Sequence, residues 1–300
     1  MDRIRQMEVF IKVMESGNFT RAAEALAIPR STVSTVIQNL EDRLRMQLLR
    51  RTTRRMVPTP EGERFLETAR EIVDSVEAAE HMFRPQSAHL RGKLRVDMPS
   101  RIGRRIVIPA LPDFLEANPD LTVEMSMTDQ IVDLVSQGVD CLIRVGALES
   151  SDLICRKLGD VDLINCASPD YLRRHGTPRI PADLSRHCLV NYAARLPAET
   201  PAWEHSDTSG LHSIEMRAQI CVDNAEAYIA AALAGLGIIQ VPAFDVRDLL
   251  ETGRLVEILS EFRAPPMQLS FLYARRRNVP ARIIAFQDWV SAVMRKAGVT

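Results

Sequence analysis

Six polar side chains, Arg30, Ser31, Thr32, Ser34, Thr35 and Gln38, recur on one side of a short helical pattern. Short hydroxyls, one amide and one guanidinium approach base edges and phosphates without steric bulk. A little further on, LRRTTRRMV groups Arg50, Arg51, Arg54 and Arg55 around two threonines. Four guanidiniums on a short hairpin suit phosphates or a narrowed A·T-rich minor groove, although a solvated charge run is the plainer alternative. Residues 1–60 hold eleven Lys/Arg against six Asp/Glu, while the whole 300-residue chain has a net charge of only -1. The positive charge is therefore placed, and nucleic acid is the partner it fits.

The elements that must position these groups are legible as apolar spacing. Val33, Val36, Ile37, Leu40 and Leu44 step by three and four, burying one side of a helix and freeing the polar set. Before it, Ala22, Ala23 and Leu26 make a shorter helix, capped by Asn18 or Thr20. The break falls at Ile28-Pro29, because the residue before a proline is pushed out of the helical region. A first helix, roughly residues 3–16, carries Ile4, Met7, Val9, Phe10, Val13 and Met14 and stops at Gly17. After the arginine-rich hairpin, Phe65, Ala69, Ile72, Val76, Ala79 and Phe83 step by four and three through a long helix. Such a narrow seam is suited to a second helix, with packing on its own domain as the alternative. Residues 85–92, bounded by Pro85 and Gly92, have no periodicity and predict a hinge.

Phe10, Gly17, Phe19, Ala22, Ala23, Leu26, Ser34, Ile37, Leu40, Glu41, Leu44, Arg51, Thr59 and Gly62 stand in order within one window. With those residues at that spacing, the N-terminal segment resembles the winged helix-turn-helix of LysR-type bacterial transcriptional regulators. Thr35-Val36 stand where that family often has Arg-Gln, and Arg45 stands where a helix-ending glycine is usual. A non-glycine there must adopt a left-handed cap at some cost. The resemblance implies double-stranded operator DNA and a small-molecule effector as partners. It also implies a homodimer joined through the long helix, or a homotetramer that would need lobe-to-lobe contacts as well, and it admits RNA polymerase as a further partner.

From residue 93 onward strand and helix patterns alternate, which predicts mainly parallel sheet covered on both faces. LRVDM, LTVEMSM and VDCLIRVG are expected strands, with RRIVIPALPDFLEAN and QIVDLVSQG as helices between them. Further strands are expected at HCLVNYA, MRAQICV and IIQVP, with the helix AEAYIAAALAGL among them. This half resembles the effector-binding domain of the same regulators, in which the last strand and helix, here about MQLSFLYA and RIIAFQDWVSAVMRK, return to the first lobe. The expected fold is an α-helical winged helix-turn-helix N-terminal domain, a long linker helix, then an α/β effector domain of two Rossmann-like lobes. The expected boundaries are 1–60, 61–84, a hinge at 85–92, and 93–300. Lobe I then holds about 93–163 and 267–300, and lobe II about 164–266.

In open sheets, ligands bind beyond the carboxyl ends of strands, where helix N-termini offer free amides. Three loops qualify: Ser100 and Arg101 after the first strand, Thr128-Asp129 after the second, and Asp223-Asn224 in the other lobe. Helix capping alone also accounts for Ser100, Thr128 and Asp223. Arg144 is open between lining the cleft and a structural ion pair. A hydroxyl and a guanidinium at a helix start favour an anionic effector.

No nucleophile elbow, zinc-protease helix, phosphate loop or dinucleotide fingerprint occurs. No catalytic residue, cofactor or metal is therefore expected. The competing class is a DNA-modifying enzyme with a winged-helix targeting head, separable by metal analysis and a nuclease assay. Five scattered cysteines without a C-x-x-C pair read as reduced thiols. With no apolar stretch for a signal peptide or membrane span, the expectation is a cytoplasmic protein without a membrane partner.

Overall fold

The computed structural model describes residues 2–51, 56–82, 90–129, 138–146, 153–193, 201–207, 209–275 and 279–299. The chain divides into two compact units, the first holding residues 1–88 and 276–281 and the second residues 89–275 and 282–300.

In the first unit three helices, α1 (Arg3–Ser16), α2 (Phe19–Leu26) and α3 (Arg30–Leu44), precede a hairpin of β1 (Leu49–Arg51) and β2 (Met56–Pro58) and the long α4 (Pro60–Met82). Of the two candidate caps, Asn18 serves α2, accepting from the Arg21 amide at 2.8 Å. Both α2 and α3 end on left-handed non-glycine residues, Ala27 (φ 52°) and Arg45 (φ 53°), so the Arg45 cap forms as the sequence requires. Val9, Phe10, Val13, Val33, Val36, Ile37 and Leu40 make the core. On α4, Phe65 packs against that core, edge-on to Phe10 with centroids 5.3 Å apart, and Ala69 is fully buried. The first two positions of the seam thus face their own domain, which corrects the expectation of one seam along the whole helix. Ile72 and Val76 are half-buried and Ala79 is exposed. Phe83 lies outside the described residues.

The second unit opens with β3 (Arg91–Met98), so the hinge expected to reach residue 92 ends sooner. A continuous helical run follows: α5 (Ser100–Ile102), a π-helical turn (Gly103–Val107) and α6 (Ile108–Glu116). Pro109 and Pro112 lie in this run, and each withholds an amide from the helical ladder. Strands β4 (Asp120–Met127), β5 (Cys141–Val145) and β6 (Leu153–Val161) come next. The helix expected at QIVDLVSQG falls largely outside the described residues. Lobe II then provides β7 (Leu163–Ala167), α7 (Pro169–His175), a 3-10 turn (Pro181–Arg186), β8 (Cys188–Tyr192), β9 (Ala202–Asp207), β10 (Gly210–Glu215) and β11 (Arg217–Val222). It continues through α8 (Ala225–Leu233), β12 (Ile239–Pro242), α9 (Ala243–Glu251) and β13 (Val256–Ile258), before β14 (Met267–Ala274) and α10 (Ala281–Lys296) close the chain.

Lobe I is one five-stranded sheet in the order β4-β3-β5-β14-β6, with β3 parallel to β4 and β5 but β14 antiparallel to both its neighbours. In lobe II β12 and β13 flank β7 antiparallel, β8 pairs with β11 in parallel, and a bridge from Leu189 to Ile238 joins the two groups. The sheets are therefore mixed rather than mainly parallel. The hairpin of β9 and β10 was not expected at all. Its alternating burial seats Trp203 and His205 inward.

Candidate functional site

On α3 the polar face is presented as its spacing requires. Arg30, Ser31, Thr35 and Gln38 are exposed, and Thr32 and Ser34 are half-buried. The Thr35 hydroxyl donates to the Ser31 carbonyl at 3.0 Å, so outward it offers only acceptor lone pairs and a methyl group. That suits an exocyclic amine or the methyl of thymine, whereas Arg30 and Gln38 supply donors. A groove between α3 and the hairpin is lined by Phe19, Ser34, Gln38, Gln47, Leu49 and Met56.

The hairpin is fixed to α3 by one carboxylate. Oε1 of Glu41 accepts from the amides of Leu48 (2.7 Å) and Leu49 (3.0 Å). Thr59 holds the other side: its amide donates to the Leu48 carbonyl, and its hydroxyl donates to Gln47 and accepts from Gly62. Arg50 is exposed on β1. Residues 52–55, with Arg54 and Arg55, and the side chain of Arg51 lie outside the described residues.

In the second unit the loops after β3 and β4 and before α8 do converge, but their side chains are largely engaged with each other. The Ser100 amide donates to Oδ1 of Asp129 at 2.9 Å, and the Ala225 amide at the start of α8 donates to Oδ2 of the same carboxylate at 2.7 Å. The Ser100 hydroxyl lies 3.5 Å from both oxygens. Arg101 is corrected from effector ligand to structural tie. Its guanidinium is buried, with Nε 3.1 Å from Asp245 and Nη1 3.0 Å from Glu226, and it also donates to the Asp245 carbonyl. Arg104 reaches Glu226 at 2.7 Å and Arg105 reaches Asp248 at 2.8 Å, so three arginines of one lobe grip three carboxylates of the other. Asn224 is a cap, accepting from the Ala227 amide at 2.9 Å, and it donates to Asp223. Arg144 pairs with Asp97, which is fully buried, so the structural ion pair is present. Thr128 is half-buried.

Charge accumulates around this cleft. Burial pushes the Asp245 carboxyl up to about 6, with Arg101 pulling the other way. The Tyr192 phenol is driven well above its ordinary value, first by burial and then by Asp129, Asp223 and Asp245, with Arg144 opposing. Its ring stands edge-on to Tyr228 with centroids 5.4 Å apart. Asp129 lies in a loop that the sequence marks as a ligand site, whereas Tyr192, Glu226, Asp245 and Asp248 were not singled out by sequence reasoning. The spacing of Arg101, Arg104 and Arg105 on one helical face signals a row of cations but does not identify the carboxylates that meet it.

A polar-faced helix beside a basic hairpin, followed by two α/β lobes that meet at a polar cleft, defines a DNA-binding regulator with a small-molecule sensing domain. Residues 4–63 match the family described as bacterial regulatory helix-turn-helix protein, lysR family, and residues 87–295 match the LysR substrate binding domain. The chain belongs to the LysR family of transcriptional regulators, which bind operator DNA and small-molecule effectors, form oligomers and are not enzymes. It is 40% identical over 296 residues, 99% of each chain, to an uncharacterised HTH-type transcriptional regulator, YhjC, of Escherichia coli (strain K12). It is 29% identical to the HTH-type transcriptional activator AaeR of the same strain, over 94% of this chain and 91% of that one. Among solved structures it resembles CrgA, a LysR-type transcriptional regulator from Neisseria meningitidis, at 28% identity and a TM-score of 0.60, covering 98% of both chains. It also resembles the full-length Vibrio cholerae virulence activator AphB, at 29% identity and a TM-score of 0.58, covering 97% of this chain and 99% of that one. Among the described residues no helix is long and apolar enough to cross a membrane, and no group of three His, Cys, Asp or Glu could hold a metal.

Proposed function

We propose that the chain works in the cytoplasm as a homodimer or higher homo-oligomer that reads a two-fold-related operator. In this reading α3 enters the major groove, with Arg30, Ser31, Thr32, Ser34, Thr35 and Gln38 at base edges or phosphates. Arg50, Arg51, Arg54 and Arg55 hold the flanking backbone or minor groove. RNA polymerase is a further partner of the DNA-bound form. The observation that carries the reading is the exposed polar face of α3 beside a hairpin pinned to it through Glu41.

The effector, a small molecule bearing a carboxylate, binds between the lobes near Ser100, Thr128, Arg144 and Asp223. Arg101 no longer supplies the motive for an anion. The carboxylate of Asp129, which accepts from the Ser100 and Ala225 amides, supports it instead. Selecting duplexes from a random pool with the full-length protein tests the DNA reading. A motif with two related half-sites about one helical turn, or a multiple, apart is expected. Enrichment of no motif, or of a single asymmetric one, contradicts it.

A further inference from the structure

Asp129 stands at an unusual place for an ordinary loop carboxylate. Its two oxygens are divided between the lobes: Oδ1 takes the Ser100 amide at 2.9 Å, where the helical run of lobe I begins, and Oδ2 takes the Ala225 amide at 2.7 Å, where α8 of lobe II begins. Each amide lies in the first turn of its helix, where backbone donors have no partner within the helix and a negative charge is favoured. The same boundary is crossed independently by the pairs of Arg101 with Asp245 and Glu226, of Arg104 with Glu226, and of Arg105 with Asp248. The closed arrangement therefore has two kinds of fastening. The arginine row consists of ion pairs, with one further bond from Arg101 to the Asp245 carbonyl, whereas Asp129 engages backbone donors that a free carboxylate could also use.

We propose that Asp129 is a tethered latch: its carboxylate bridges the two lobes at the donors a carboxylate effector must engage, so the effector acts by displacing it. This rests on the reading that the effector binds between the lobes. Displacement exchanges one carboxylate for another at the same amides. The gain in binding is then the effector's remaining contacts less the cost of releasing the tether. A ligand shifts such a balance only by its different affinity for the latched and unlatched states.

The probe is acetate, with chloride at equal ionic strength as control, at pH 7.5 on the full-length protein. Asp129→Ala should melt several degrees below the wild type. Acetate at tens of millimolar should recover most of that loss while chloride does not, and the wild type, its donors already occupied, should not move with acetate. Asp129→Asn keeps the shape but has one carbonyl oxygen for two amides, so it should melt between the two and keeps the test open if the alanine variant does not fold. Equal melting of wild type and Asn variant, or equal effects of acetate and chloride on the Ala variant, would overturn the latch. Binding of a selected duplex by the same samples separates the two claims. Acetate rescue with unchanged DNA affinity supports the latch and contradicts gating of DNA binding by the cleft, whereas absence of rescue contradicts the latch whatever the DNA affinity.

Discussion

Nε of Arg101 lies 3.1 Å from Oδ1 of Asp245, both side chains are 5% exposed, and the two residues belong to different lobes. Removing one partner of a buried pair strands the other's charge, typically at about 3–5 kcal/mol, whereas replacing both by apolar groups is often close to neutral. Arg101→Met should therefore cost roughly 3 kcal/mol or more in urea unfolding, and adding Asp245→Leu should recover much of it. Additive losses would show that the two residues are not coupled.

The same pair sets a pH dependence. Native Asp245 keeps its proton up to about pH 6, while the unfolded chain releases it near the ordinary value of 3.8. Between those values the native state binds the extra proton, so through this group stability rises as pH falls from 6 towards 4 and is lost as pH rises through 6. Asp245→Asn should remove that component. If wild type and variant have parallel stability curves over this range, the carboxyl is not raised.

Glu41 anchors the wing. Glu41→Ala leaves the Leu48 and Leu49 amides without their acceptor and should cost about 1–3 kcal/mol, while Glu41→Gln, which retains an oxygen, should cost less. Gly62→Ala should also destabilise this unit, because a Cβ there would lie 2.0 Å from the Leu48 carbonyl oxygen. Urea unfolding of the three variants checks this. Equal stability of the Ala and Gln variants at position 41 would remove the anchor.

Ile72 and Val76 are half-buried on α4 beyond the part that packs on its own domain. Glutamates at both positions would bury unpaired charge if a second chain covers them. Sedimentation should show the double variant with weakened self-association. An unchanged oligomer would place the subunit contact elsewhere.

The elements nearest to DNA were legible because they are local. Val33 to Leu44 repeat at helical spacing, Asn18 and Pro29 punctuate that pattern, and Arg45 sits where a left-handed cap is needed. The cleft was only half legible. Its loops could be found from strand ends, but the partners of Arg101 stand 125 and 144 residues away, and no short-range spacing reveals that Glu226 and Asp245 neutralise it. Strand direction was hidden for a related reason. β14 has the same apolar composition whether parallel or antiparallel, and only its insertion between β5 and β6 decides. Phe65 and Ala69 continue the heptad in sequence, yet Phe65 turns to Phe10 of α1 and Ala69 is buried within its own chain, since spacing identifies an apolar face without identifying what covers it.

The central claim is that α3 reads bases while the wing holds phosphates. The most direct measurement is the affinity of wild type, Gln38→Ala and Arg50→Ala for a selected and a scrambled duplex across a salt series. Gln38→Ala should lower the preference for the selected duplex by about 1–3 kcal/mol with little change in salt slope, and Arg50→Ala should weaken both duplexes alike and reduce the slope by about one. A Gln38→Ala protein that keeps the full preference, together with an Arg50→Ala protein whose slope is unchanged, would contradict the account.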